Sequence, residues 1–208
     1  MADKAVQRSK RKVLEAERQH VTVNGTEIEN VDSFVYLGAL QQGDGDEEAD
    51  VKHRMAIAQA AFNGLFHLWK DMRLSLSMKL RLYLACVCST FTHACEAWNM
   101  TDSVMRRING FNSRCLHVIT GESYRDTATK PVIDLLLQIR RRRMRYLGHV
   151  LRMHEDRLVR KTLMAYIDGG RHIPDGSLLM DCQNELLDAT IACAMDRKKW
   201  NARVLNMK

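Results

Sequence analysis

Between Asp46 and Thr120 apolar residues recur at three- and four-residue intervals in three successive blocks, each opened by a residue type that caps helices. The first carries Ile57, Ala60, Ala61, Gly64, Leu65 and Leu68 and runs through Trp69, behind Asp44 or Asp46 as cap with Glu47 and Glu48 in its first turn. Ser75 or Ser77 opens the second, whose stripe is Leu76, Leu80, Tyr83, Leu84, Val87, Phe91, Ala94 and Trp98. Thr101 or Asp102 opens the third, with Val104, Ile108, Phe111, Cys115 and Val118. Three consecutive amphipathic helices with short connections predict a bundle over residues 46–120. Proline, which helix interiors exclude, occurs only twice in 208 residues.

Ahead of the bundle, residues 20–45 carry the convincing β signal. Val21 and Val23 alternate, Asn24-Gly25 is a strong hairpin dipeptide, and Ile28 continues on the far side. Val31 to Leu37 predicts a further strand ended by Gly38. Residues 1–19 read as a basic leader, a loose helix or frayed tail. After the bundle, 121–167 is a helical extension: a linker to Lys130, a helix from Pro131 to about Met153, and another over 155–167. Residues 168–177 form a Gly/Pro-rich loop. The final segment, 178–208, holds a helix from about Leu178 to Val204. The fold class is mainly α, with a small N-terminal antiparallel β element and a helical C-terminal extension.

The longest nearly apolar stretch, Leu82 to Phe91, is about half of a membrane span. The basic N-terminus has no apolar run behind it, so no secretory signal is expected. The six cysteines have apolar neighbours and read as buried reduced thiols. Together these place the protein in the nucleus or cytoplasm. No phosphate-cradling Gly-rich loop, Gly-x-Ser-x-Gly or His-Glu-x-x-His is present. Cys86, Cys88, His93 and Cys95 pair on diverging helix faces rather than as converging zinc ligands. Asp44, Asp46, Glu48 and Asp50 begin like a calcium loop, but Ala49 replaces its glycine, so helix capping is the better reading. His149 and His154 read as structural histidines. No metal or cofactor is expected.

Charge is unevenly placed. The net charge is +7; residues 140–161 hold nine Arg/Lys against Glu155 and Asp156, while 44–50 hold five acids and no base. Such separation suggests a polyanion partner, most economically nucleic acid. Arg140, Arg141, Arg142, Arg143 and Arg145 occupy two helical turns, so at least three should face solvent or phosphate if Leu135, Leu136, Ile139, Leu147, Val150 and Leu151 organise burial. Tyr146 could stack on a base, although its spacing with Val150 favours core packing.

At Phe34-Val-Tyr-Leu-Gly38 the chain begins to resemble a known family. Phe-x-Tyr-Leu-Gly followed by an acidic turn and the Ala60-Ala-Phe-Asn-Gly-Leu65 helix is similar to non-LTR (LINE-type) retrotransposon reverse transcriptases, just after the polymerase palm. Further segments agree in the family's order: Leu76–Val87 with its Lys-x-Arg-Leu-Tyr, His93-Ala-Cys-Glu-Ala-Trp98, and Arg114-Cys-Leu-His-Val-Ile-Thr-Gly121. Arg140–Met153 resembles Arg-Arg-Arg-Leu-Arg-Trp-x-Gly-His-Val-Leu-Arg-Met, and Asp196–Trp200 resembles Asp-Arg-x-x-Trp. The matches run from about Val21 to Trp200.

The resemblance implies that Phe34, Tyr36, Leu37 and Gly38 form a primer grip, that 46–120 is thumb-like, and that Arg140, Arg141, Arg142, Arg143, Arg145 and Arg152 contact RNA or primer–template duplex. It implies no catalysis. The aromatic-x-Asp-Asp strand that would hold Mg²⁺ for phosphoryl transfer occurs nowhere in the sequence, and the endonuclease domain would lie upstream. His93 and Ala94 replace a Tyr-Gly of the family pattern. The expectation is a nucleic-acid-binding, catalytically incomplete fragment of an RNA-directed DNA polymerase. The alternative is a decayed reading frame yielding a helical protein with no selected binding.

Overall fold

Two short hairpins and a parallel pair precede the helices. The computed structural model describes residues 12–14, 22–23, 25–27, 29–42, 47–123, 125–126, 132–168 and 187–207. Strands β2 (Thr22–Val23) and β3 (Thr26–Glu27) pair antiparallel, and Gly25 between them takes φ +72°. Val21, Asn24 and Ile28 lie outside the described residues. Strand β1 (Lys12–Leu14) pairs in parallel with β4 (Glu29–Val31). It falls inside the segment read as a loose helix or tail, and it adds a parallel pair to the antiparallel element.

Strand β5 (Ser33–Tyr36) does not end the β element at Gly38. The chain reverses through Leu37 (φ 49°) and Gly38 (φ 87°) and returns as β6 (Ala39–Gln42), with Tyr36 opposite Ala39. Two positive φ values in a two-residue connection match the right-handed twist of the strands. Leu37 tolerates its half of the turn at a conformational cost; Gly38 is free of it.

The helices follow in the expected order, with different phases and breaks. Helix α1 (Glu47–Gly64) and α2 (Phe66–Lys70) are separated by a turn at Leu65. The buried face of α1 is Val51, Arg54, Ala58 and Phe62, whereas Ile57 is 38% exposed. The apolar stripe led by Ile57 is thus out of phase, because Arg54 is drawn inward by the hairpin. Helix α3 (Leu76–Leu82), capped by Ser75 whose hydroxyl accepts from the Met78 amide, continues as a π-helical stretch (Tyr83–Cys88) and then α4 (Ser89–Phe91). Lys79, Tyr83, Val87, Phe91 and Cys95 are buried at a strict four-residue interval. An α-helix rotates such a row by about 40° per repeat, and the wider π turn winds it back onto the core. A short 3₁₀ turn (Cys95–Ala97) leads to Trp98.

Helix α5 (Asp102–Thr120) starts where Thr101 accepts from the Val104 amide and ends at Gly121 in the left-handed region. Val104, Ile108, Phe111 and Cys115 are buried as the spacing predicts. Helix α6 (Leu135–Leu151) begins later than expected, because Asp134 caps it by accepting from the Leu137 amide; Pro131 lies outside the described residues. Helix α7 (Leu158–Asp168) follows. The single helix predicted to end at Val204 is two, α8 (Leu187–Met195) and α9 (Arg197–Leu205), because Asp196 leaves the helix to cap α9. Residues 169–186, including most of the predicted loop, lie outside the described residues. Among the described residues no helix is long and apolar enough to cross a membrane.

Two cores result. The larger packs Phe62 against Trp69 (ring centroids 5.2 Å apart, stacked) and Phe91 against Trp98 and Phe111, and it closes on Leu135 and Ile139. Two of its buried polar groups are joined in one network: Tyr83 donates to Asn112 Oδ1 at 3.0 Å, and Asn112 Nδ2 donates to the Ile133 carbonyl at 2.7 Å. The smaller core gathers Met144, Leu147 and Leu151 of α6 with Ala194, Trp200 and Val204. Trp200 lies across Gly148, where a Cβ would come within 2.1 Å of the indole Nε1, and donates to the Met144 carbonyl at 2.9 Å.

Gly148→Ala should therefore lower unfolding free energy by about 1–3 kcal/mol despite alanine's better helix propensity. Gly64→Ala, with nothing within 4 Å of the new methyl, should be neutral or stabilising. Urea unfolding of the two variants checks this, and a harmless Gly148→Ala would refute the interlock.

Candidate nucleic-acid interface

Helix α6 carries the arginine cluster, and the helix is organised by which face each residue occupies. Arg143 is 1% exposed and reaches into the wall of a cavity of about 240 Å³ lined also by Met100, Met105, Ile139 and Arg140. Arg141 is half-buried and donates from Nη2 to the carbonyls of Leu205 (2.8 Å) and Met207 (3.0 Å), at and beyond the end of α9. Arg142 donates to the Thr92 carbonyl at 3.2 Å, at the end of α4. Arg152 donates to the Ala194 carbonyl at 2.6 Å, in the last turn of α8.

Three arginines thus sit on the carbonyl ends of three helices, where unpaired acceptors and the negative end of the helix dipole favour a cation. The expectation that at least three arginines of the cluster face solvent or phosphate is met in full only by Arg145. Arg140 is half-buried, and Arg145 is exposed beside Tyr146 (39% exposed) and His149, also exposed. Residues 145, 146 and 149 share one helix face by their spacing. Tyr146 packs less deeply than its spacing with Val150 suggested. His154 is also at the surface, 3.1 Å from Asp156.

The β5–β6 hairpin projects Tyr36 (62% exposed) and Leu37 (81% exposed) at its tip, with Phe34 half-buried beneath and Gly38 against the bundle. Two residues one turn apart on α1 fix it. Asp50 accepts from the Leu40 amide (2.8 Å) through Oδ1 and from the Trp98 indole (2.7 Å) through Oδ2. Arg54 lies directly under the turn, where a Cβ on Gly38 would be 2.6 Å from its Nη2, and it donates to His93 Nδ1 at 2.6 Å.

These roles were missed in the sequence. Asp50 sat within an acidic run explained by capping, and Arg54 on a face expected to be apolar. Ala94 adopts φ 60°, a left-handed conformation that glycine accepts without penalty.

Three buried thiols are unreactive. Burial pushes the thiols of Cys88, Cys95 and Cys115 up to about 12, leaving them protonated at neutral pH. Burial likewise raises the Tyr83 phenol. Cys86, expected inside, is exposed on the outer side of the π-helical stretch, and Cys193 is half-buried; Cys182 lies outside the described residues. Glu48, from the candidate calcium loop, sits 3.7 Å from Lys52 and 3.8 Å from Arg107, while Asp44 and Asp46 lie outside the described residues. Among the described residues no three His, Cys, Asp or Glu converge as metal ligands.

The chain is 23% identical over 203 residues to an uncharacterized transposon-derived protein of Caenorhabditis elegans, covering 85% of this chain and 71% of that one. This similarity supports a transposable-element origin. No family model matches the chain, and no solved structure does.

Removing the Arg141 donor should loosen the end of α9 without touching the larger core. Arg141→Gln is expected to raise hydrogen exchange of the α9 amides about fivefold, the equivalent of about 1 kcal/mol for a half-buried charged bond. Amides of α5 should be unchanged; an α9 exchange rate equal to the parent's would contradict the carbonyl assignment.

Proposed function

We propose that the chain is the primer-grip, thumb and C-terminal-extension portion of a non-LTR (LINE-type) retrotransposon reverse transcriptase, and that it binds nucleic acid without polymerising it. The order of the matching segments supports the family origin. The contact between Gly148 and Trp200 gives two of those distant segments a common physical reason. The missing Asp pair supports the absence of catalysis: with primed template, dNTPs and Mg²⁺, purified protein should extend nothing, and template-dependent extension would overturn this part of the reading.

The observation that carries the binding proposal is the exposed Arg145–Tyr146–His149 face of α6. It combines a guanidinium fork for phosphate with an aromatic ring on which a base can stack. Arg140 is a further contributor at its edge, and Tyr36 and Leu37 offer a separate contact at the hairpin tip. Arg141, Arg142, Arg143 and Arg152 belong to the framework under this face. Their use there also favours a second reading, in which the reading frame has kept its fold but no selected binding.

The two readings separate on salt dependence. Binding to an RNA–DNA primer–template, followed by fluorescence anisotropy from about 50 to about 200 mM salt, should weaken steeply as counterions are released. Arg145→Gln should flatten the slope of log affinity against log salt by about 0.9, one phosphate's share on duplex. Tyr146→Ala should weaken binding about fivefold or more at unchanged slope. Weak, salt-insensitive binding, or a folded Arg145→Gln with the parent's affinity and slope, would favour the second reading.

A further inference from the structure

We propose that the cavity between the start of α5 and the first half of α6 is a binding site for a small organic anion, an apolar body ended by one carboxylate. The inference stands independently of nucleic-acid binding. The cavity holds about 240 Å³. A dry apolar cavity of about 150 Å³ holds benzene, so this one has room for about ten heavy atoms, a six-membered ring with a short acidic arm.

Two kinds of side chain line it. Met100 and Met105 come from the approach to α5 and its first turn, and Leu136 and Ile139 from α6. Thioether side chains adapt readily to the shape of an apolar guest. Arg140 and Arg143 follow Leu136 and Ile139 at four-residue spacing, so apolar and cationic side chains share one side of α6. Asp134 is exposed, Leu136 and Arg140 are half-buried, and Arg143 is 1% exposed. The cavity therefore opens at the first turn of α6 and deepens toward Arg143.

Charge selects the guest. Both guanidiniums are permanently charged. Among the described lining residues the acid is Asp134, whose Oδ1 already accepts from the Leu137 amide at 2.9 Å. Two arginines against one aspartate leave the lining net positive by one charge. Arg143 sits away from water, where attraction to an anion is stronger than at the surface. The apolar body of the guest meanwhile removes Met and Leu surface from water.

Each arginine also keeps a contact within the protein. A guanidinium has five donors, however, and the buried Nε–H of each has no acceptor among the described residues. A carboxylate suits this lining better than a phosphate monoester, whose charge of about −1.5 to −2 exceeds that of the lining.

The probe is phenylacetate, with phenethyl alcohol as its uncharged counterpart of equal size, titrated into the intact chain carrying methyl-labelled methionine. Phenylacetate should shift the NMR signals of the Met100 and Met105 methyls with a dissociation constant of about 1 mM or tighter. Phenethyl alcohol should bind about tenfold more weakly or worse. Arg140→Met, at the half-buried rim, should weaken phenylacetate about fivefold or more and leave the alcohol unchanged. Met105→Phe, which fills the cavity, should weaken both. Unshifted Met100 and Met105 methyls in the folded chain, equal binding of acid and alcohol, or full phenylacetate affinity in either variant would each overturn the site.

Discussion

Helix α6 is the wall shared by both cores, and the rest of the structure depends on how it divides its faces. Leu135 and Ile139 close the larger core, while Met144, Leu147 and Leu151 open the smaller one half a helix later. Between these apolar contacts its arginines reach sideways to the carbonyl ends of α4, α8 and α9. Each such bond lies at a helix end, where carbonyls outnumber backbone donors and the charge of the donor suits the local dipole. Half-buried, a charged donor of this kind contributes about 1 kcal/mol. A basic run that looks like a binding surface in one dimension is thus mostly framework in three.

The hairpin shows the same economy. One acid and one base on α1, Asp50 and Arg54, tie the turn at Leu37–Gly38 to the segment from His93 to Trp98. Strain is accepted at two residues nearby, Leu37 and Ala94, both in left-handed backbone. Such strain survives only where surrounding contacts over-determine the conformation. Here the contacts are the hydrogen bonds of Asp50 and Arg54. The result holds Tyr36 and Leu37 out into solvent on a rigid base.

Much of the architecture was legible in the sequence because caps and periodicity are local. Thr101, Gly121 and the Val104–Cys115 stripe fixed α5 almost to the residue, and Asn24-Gly25 marked the β2–β3 hairpin. What escaped depended on distant partners. Arg54 lies in an apolar phase only because a glycine far earlier in the chain, Gly38, turns over it, and the π-helical stretch keeps a four-residue row of buried side chains aligned. The candidate interface was legible as a basic cluster but not as a division of labour. No local signal says that Arg141 meets the end of α9 while Arg145 meets solvent; that requires knowing where α9 docks. The similarity to a transposon-derived protein supports a transposable-element origin, and leaves the finer family assignment and the activity to experiment.

Arg141, Arg142 and Arg152 are committed to helix-end carbonyls, and the proposal is that the Arg145 face of α6 is left for a polyanion. Side-chain Nε–H resonances of the arginines, followed by NMR during titration with a short RNA–DNA duplex at low salt, test it most directly. The account expects Arg145 to shift with added duplex while Arg141, Arg142 and Arg152 hold their positions. Shifts led by Arg141 and Arg142, showing that they leave their carbonyls for phosphate, would contradict it.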